Sequence, residues 1–302
     1  MSIKSLDEML KTVKSAGNKR VVVACGHDPH TIEAAFRAEK EDVADVTLIG
    51  DKERMKRIAE EKEIDLSLFD IIEENDDLKS GKKAVRMVRE KEADVLMKGL
   101  INSAVYMRLI LDKEKGLLAE GKVLSHVTVI EVPTYPKLLF VTDVAVIPLP
   151  TLSQKIEMLK YAIDIAHRFD IEKPKAAIIA ASEKVSLKIN STVDAAIITQ
   201  MARRGQIKGA IVDGPLALDV AVSKECCKIK GLDSPVGGDA DIFLFPNIEA
   251  GNSFYKSTTQ LGNGRLAALV TGTLAPCILT SRADSEDSKF LSIVLAAKTV
   301  KE

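Results

Sequence analysis

The sequence predicts an α/β protein with mostly parallel sheets and helices on both faces, and three observations carry that expectation. Short apolar runs alternate with helical patterns of ten or more residues, the alternation breaks once over residues 124–147, and Pro148-Leu149-Pro150 then separates two halves that both show it. Strands joined by long helices need crossover connections, which are right-handed and give parallel pairing. Ligands of such sheets bind beyond the carboxyl ends of the strands, so the strand-to-helix turns are where chemistry is expected.

Taken in order, Arg20-Val-Val-Val-Ala-Cys25 reads as a buried strand, and 30–40 has helical spacing through Ile32, Ala35, Phe36 and Glu39. Residues 46–50 form the next strand, and Asp51 caps a charged helix to residue 63. A strand over 69–73, a helix over 76–92 with a stripe of Leu78, Ala84, Val85 and Val88, and a strand over 94–97 complete the first half. Two apolar strands, 124–132 and 138–147, are joined by Pro133-Thr134-Tyr135-Pro136, a hairpin-like connection. The prolines at 148 and 150 read as a hinge before a long helix over 152–169. Alternation then resumes, with strands over 176–181, 209–213 and 242–245 and helices over 192–204, 216–228 and after Gly251. The apolar runs 266–270 and 276–279 end in Thr280-Ser281-Arg282-Ala283-Asp284-Ser285, which leads into a last helix.

Length and composition fit a soluble globular protein of two domains: 302 residues, 46% apolar and 29% charged. With 43 basic and 44 acidic residues there is no global field to attract nucleic acid, and no basic stripe is interleaved with aromatics. Cys25, Cys226, Cys227 and Cys277 lack CxxC spacing and read as reduced thiols of a cytoplasmic protein, without structural metal. No leader-like segment and no apolar run of ~18 residues points to secretion or a membrane.

Three strand-end turns have the residue types of anion sites. At the first, a strand stopping at Ser281-Arg282 before a helix near Ser285 collects a hydroxyl, a guanidinium fork and backbone N–H groups, which together hold phosphate oxygens. The plain alternative is an ordinary loop arginine with Asp284 or Ser285 as a helix cap. At the second, Lys98, a flexible Gly99 and a capping Asn102 or Ser103 follow a strand; the alternative is a simple turn. At the third, a strand ending in Pro246-Asn247 leads to Gly251-Asn252, read as the cap of a helix whose second turn carries Lys256. Asp239 and Asp241 precede that strand and could ligate a metal, but at least one of them is expected to be solvated. Ser80-Gly81-Lys82-Lys83 fails as a Walker loop, no GxGxxG follows a strand, and His126 and His167 read as a strand histidine and a solvated helix histidine.

Seven separated runs carry a family resemblance: Met97-Lys-Gly-Leu-Ile-Asn-Ser103, Leu124-Ser-His-Val127, Leu139-Phe-Val-Thr-Asp143, Arg204-Gly-Gln-Ile-Lys-Gly209, Val212-Asp-Gly-Pro-Leu-Ala-Leu-Asp219, Ala240-Asp-Ile-Phe-Leu-Phe-Pro-Asn-Ile-Glu249 and Leu279-Thr-Ser-Arg-Ala-Asp-Ser285. In this order they resemble the phosphate acetyl/butyryltransferase family, the butyryl branch more than the acetyl branch, over nearly the whole chain. The resemblance implies a two-domain isocitrate/isopropylmalate-dehydrogenase-like fold with mostly parallel sheets and an inter-domain cleft. With the proline hinge it places the first domain at 1–148 plus 283–302 and the second at 149–282.

It further implies an acyltransferase moving a short-chain acyl group, butyryl by preference, between coenzyme A and inorganic phosphate. In that reading a thiolate attacks the acyl phosphate directly, and no metal or redox cofactor takes part. Ser281 and Arg282 match the family's phosphoryl-binding pair. Asp287 is the best match to its proposed thiol base, one residue closer to the arginine than in the acetyltransferases, with Asp284 and Glu286 as alternatives. Lys98, Asn102, Asn252, Lys256 and Asp284 are the expected substrate contacts. Partners are then small molecules only, with no nucleic acid or membrane, and a cytoplasmic homo-oligomer is expected. Two competing readings are a metal- and nicotinamide-dependent dehydrogenase of the same fold and a non-catalytic acyl-CoA-binding regulatory module.

Overall fold

Strand-forming runs of Val, Ile and Leu and helices opened by aspartate caps set the chain into a mixed α/β fold whose sheet is mostly parallel. The computed structural model describes residues 2–15, 17–281 and 284–300. It divides into a terminal unit, Leu6–Leu124 with Leu266–Glu302, and a middle unit, Met1–Ser5 with Ser125–Arg265.

In the terminal unit α1 (Leu6–Lys14) is followed by β1 (Lys19–Ala24), α2 (Pro29–Lys40), β2 (Ala44–Gly50), α3 (Lys52–Lys62), β3 (Asp70–Glu73), α4 (Asp77–Arg89), β4 (Val95–Lys98) and α5 (Ser103–Ile110). The side chains of Asp28, Asp51 and Asp76 accept from Thr31 N, Arg54 N and Lys79 N, so three helices start where an aspartate satisfies an orphan amide. Pro29 stands in the first turn of α2, where its missing N–H costs nothing.

The middle unit holds β5 (Ser125–Glu131), β6 (Leu139–Thr142), α6 (Leu152–His167), β7 (Lys175–Ile179), α7 (Asn190–Arg203), β8 (Ile211–Leu216), α8 (Leu218–Val222), α9 (Lys224–Ile229), β9 (Ile242–Leu244) and α10 (Ile248–Gln260). Its strands lie in the order β5-β6-β9-β7-β8, antiparallel only at β5 and β6. The chain then returns to the terminal unit through β10 (Arg265–Thr271), β11 (Cys277–Ile278) and α11 (Glu286–Thr299). There the order is β3-β2-β1-β4-β11-β10, parallel except for β10 against β11.

Several expectations meet a different chain. Because β6 pairs in parallel with β9, the 125–142 hairpin joins the residues that follow the prolines, and the units divide at 124/125 and 265/266 rather than at 148/149 and 282/283. The helix expected over 216–228 is two short ones, since Ser223 ends α8 and its hydroxyl caps α9. α11 is buried on nearly every side from Lys289 to Ala297 and packs on α1 and α2, as an all-round apolar helix must. Among the described residues no helix is long and apolar enough to cross a membrane.

Candidate functional site

The winding of the terminal sheet changes direction between β1 and β4, because the chain passes from β1 outward to β2 and β3 and then returns to β1's other side. Ala24 pairs with Lys98 and Met97 with Ile278, so the segments after β1, β4 and β11 leave one carboxyl edge side by side. Gly99 extends the ladder there: its N–H donates to Ala24 O at 2.8 Å, and a Cβ on it would lie 2.2 Å from Cys25 O. Glycine is thus required here for close packing against β1. The Tyr106 hydroxyl lies 3.2 Å from Leu96 O and 3.0 Å from Ile278 O, fastening the two-residue β11 to β4 from above.

β11 delivers Leu279, buried Thr280 and exposed Ser281 to this edge. Arg282, half of the expected phosphoryl-binding pair, lies outside the described residues, as does Ala283. The chain turns at once. Asp284 Oδ2 accepts from Ser281 N at 2.7 Å, and Asp284 N donates back to Ser281 O at 3.2 Å. The Ser281 amide, expected to face a ligand, is therefore held by the chain's own carboxylate. Ser285 caps α11 by accepting from Ser288 N, so the exposed Ser281 hydroxyl stands just before a helix N-terminus, the positive end of its dipole.

Glu286 and Asp287 open α11, and both meet Arg37 in the last turn of α2. Arg37 donates to Asp287 Oδ1 at 2.9 Å and to Glu41 Oε1 at 3.0 Å, and lies 3.5 Å from Glu286 Oε1. Its guanidinium also stacks 3.9 Å over the buried Phe290 ring. Burial pushes the Glu286 carboxyl above the usual glutamate range, Arg37 draws it back and Asp287 pushes it up again. One turn further on, the buried Lys289 ammonium reaches Thr31 Oγ1 at 3.2 Å and lies 3.7 Å from Asp28 Oδ1.

Several of the other candidates are engaged by their own chain. Lys98 sits at the end of β4 as expected but is only 2% exposed, and its ammonium donates to Gly99 O at 3.0 Å. Asn102 caps α5 by accepting from Ala104 N. In the middle unit α10 begins three residues before Gly251, capped by Asn247, so Gly251-Asn252 lies inside the helix rather than at its start. Asn252 Nδ2 donates to Val144 O at 2.9 Å, and a Cβ on Gly251 would lie 2.3 Å from Asp143 O. Lys256 is exposed on the same helix, 5.9 Å from the Tyr255 ring centre.

Asp239 and Asp241 are gripped by lysines: Lys137 lies 2.7 Å from Asp239 and 3.0 Å from Asp241, and Lys175 lies 2.7 Å from Asp239. Among the described residues no group of three or more His, Cys, Asp and Glu converges as metal ligands. The His167 ring bonds Gly209 O at 2.8 Å, more than a solvated role, while His126 is buried in β5 with Nδ1 3.3 Å from Thr128 Oγ1. All four cysteines are free thiols, and burial pushes Cys25 up to about 12. Sequence reading missed Arg37, Phe290 and Lys289. Arg37 lies 250 residues from Asp287, so no local spacing announces their contact.

The chain matches the family described as Phosphate acetyl/butaryl transferase over residues 5–82 and 79–297. It is 45% identical to the phosphate butyryltransferase of Clostridium acetobutylicum, with 98% of each chain covered. Against the phosphate acetyltransferase of Thermotoga maritima the identity is 41%, over 97% of this chain and 98% of the relative. A solved branched-chain phosphotransacylase from Enterococcus faecalis superposes with a TM-score of 0.82 at 31% identity, covering 93% of this chain and 99% of the other.

Proposed function

Since the chain belongs to the phosphate acetyl/butyryltransferase family and is a phosphate acyltransferase of the EC 2.3.1 type, we propose that it moves a short-chain acyl group, butyryl ahead of acetyl, between coenzyme A and inorganic phosphate. The reaction is acyl-CoA + phosphate ⇌ acyl phosphate + CoA, with no metal or redox cofactor. The observation that carries this reading is the corner after β11, where the exposed Ser281 hydroxyl stands before the N-terminus of α11 on a carboxyl edge. The two-domain isocitrate/isopropylmalate-dehydrogenase-like description belongs to the same proposal.

When acyl phosphate and CoA react to give acyl-CoA, a sulfur–carbon bond forms, the carbon–oxygen bond to phosphate breaks, and the thiol proton passes to a base. Ser281 and Arg282 bind the phosphoryl group and stabilise the charge that collects on the leaving phosphate. A positioned donor of this kind contributes about 3 kcal/mol, or ~10²-fold. A thiol of pKa ~8.5 is a few per cent thiolate at neutral pH, so a base adds roughly one to two orders of magnitude. Arg282 therefore outweighs the carboxylate. We assign the base to Asp287, with Glu286 as a second reading because burial raises its proton affinity. Lys98, Asn102, Asp284, Asn252 and Lys256 are proposed substrate contacts.

The test is CoA release from acetyl-, propionyl-, butyryl- and isobutyryl-CoA, with and without phosphate and with and without chelator. An apolar slot gains ~0.8 kcal/mol per methylene, so two methylenes favour butyryl over acetyl by roughly 15-fold in kcat/KM. Release that depends on phosphate, resists chelation and peaks at four or five carbons is expected. Equal use of acetyl and butyryl removes the slot. Activity that needs a divalent metal points to the dehydrogenase reading, and binding without turnover points to the regulatory module.

A further inference from the structure

Three acidic side chains, Asp284, Glu286 and Asp287, crowd the turn at which a multiply charged anion is to bind. At the ~8 Å screening length of physiological salt, one turn of chain does not hide them from Ser281. Left alone they would oppose phosphate and each other. Asp284 is folded back onto the Ser281 amide at 2.7 Å. Among the described residues, Arg37 meets both of the others from outside the turn.

We propose that Arg37 is a positioning residue for this corner: its fork holds Glu286 and Asp287 against α2, offsets part of their charge, and so lets the turn accept phosphate. The proposal rests on the reading that phosphate binds at Ser281 and Arg282. The geometry has three parts. The guanidinium touches both acids of the first turn, at 2.9 Å to Asp287 and 3.5 Å to Glu286. Its other edge is fixed at 3.0 Å by Glu41, the residue that ends α2. Its face lies on Phe290, the residue one turn into α11, so the fork cannot leave the acids without losing the stack. Lysine has one point charge and no flat face, and would satisfy only part of this.

The charge around the fork is mixed. Glu41 is shared with Lys14 of α1 at 3.0 Å, so α2 lends its anion without leaving Arg37 wholly consumed. Glu33, also on α2, bears on Glu286 and is held by Lys62 of α3 at 2.8 Å, with the His30 ring 3.5 Å away. Lys289, the nearest other cation of α11, is spent on Asp28 and Thr31. Among the described residues, Arg37 is the cation shared by Glu286 and Asp287.

The experiment compares KM for inorganic phosphate and Tm in Arg37→Gln, Arg37→Lys, Glu286→Gln and the double variant Arg37→Gln/Glu286→Gln. Arg37→Gln is expected to raise KM for phosphate about tenfold, Arg37→Lys about threefold, and the double variant to return within threefold of the parent because the uncompensated carboxylate is gone. A merely structural arginine would lower Tm without that rescue. A folded Arg37→Gln with KM within twofold of the parent, or a double variant no better than the single, overturns the proposal. Should Arg37→Gln not fold, Glu286→Gln alone decides: KM for phosphate falls about threefold if the acids oppose the anion, and an unchanged KM overturns it. Ser281→Ala in the same assay separates the two ideas. A raised KM there with none in Arg37→Gln sinks only this inference, whereas no change in either shows that phosphate binds elsewhere.

Discussion

The starts of α10 and α11 are built alike and used differently. Each follows the carboxyl end of a parallel strand, each is opened by a side-chain cap, Asn247 or Ser285, and each places acid in its first turn. In α10 the polar positions turn inward: Gly251 lets the helix approach Asp143 O, and Asn252 donates to Val144 O. In α11 Glu286 and Asp287 meet Arg37 of α2, while Asp284 folds onto the Ser281 amide. Cap chemistry marks a strand-end turn in both. Which polar group can serve a ligand is decided by the element that packs beside it.

The largest expected effect lies at the α11 corner. Arg282→Gln should lower turnover by at least ~10² at saturating phosphate while circular dichroism and Tm stay near the parent's. Near-normal turnover would take Arg282 out of the mechanism and with it the contrast between the two helix starts.

Next comes the base. Asp287→Asn should cost about 10- to 100-fold in kcat at pH 7, the thiolate fraction that a base supplies. The sign of the pH dependence follows: without a base the rate tracks free thiolate, so the deficit shrinks as pH rises through ~8.5. Glu286→Gln should change kcat by less than about fivefold. A larger loss in Glu286→Gln than in Asp287→Asn transfers the role to the acid whose carboxyl burial pushes up.

These outcomes bear on what could be read from sequence. The βα rhythm, the Asp51 cap and the helix start near Ser285 are legible because period and capping are local. The 124–147 hairpin was legible as a break, but its membership was not, because pairing of Phe140 with Ile242 joins residues a hundred positions apart. At Lys98 and Gly99 the residue types point to an anion site, but the need for a glycine comes from Cys25 O beneath it, set by the neighbouring strand. Arg37 was invisible for the same reason: an arginine followed by glutamate at i+4 reads as an ordinary helix pair, and Asp287 enters only through the fold.

The smallest expected effect is at α10, and it tests whether the inward-turned helix start still touches substrate. Asn252→Ala removes one hydrogen bond to Val144 O, worth about 1 kcal/mol, and leaves that carbonyl wanting a donor. Alanine's better helix propensity returns roughly 0.5 kcal/mol, so the net loss of stability should be under ~1 kcal/mol, a Tm shift of a few degrees. If the amide is only structural, KM for CoA and for phosphate stays within about threefold. If it also contacts substrate, KM rises tenfold or more with the same small Tm change. Lys256→Gln is the matching variant, because its exposed side chain carries no comparable packing and Tm should not move. A KM increase for CoA in Lys256→Gln with none in Asn252→Ala would divide α10 into a structural face and a binding face. Increases in both would make α10 as much a ligand site as α11.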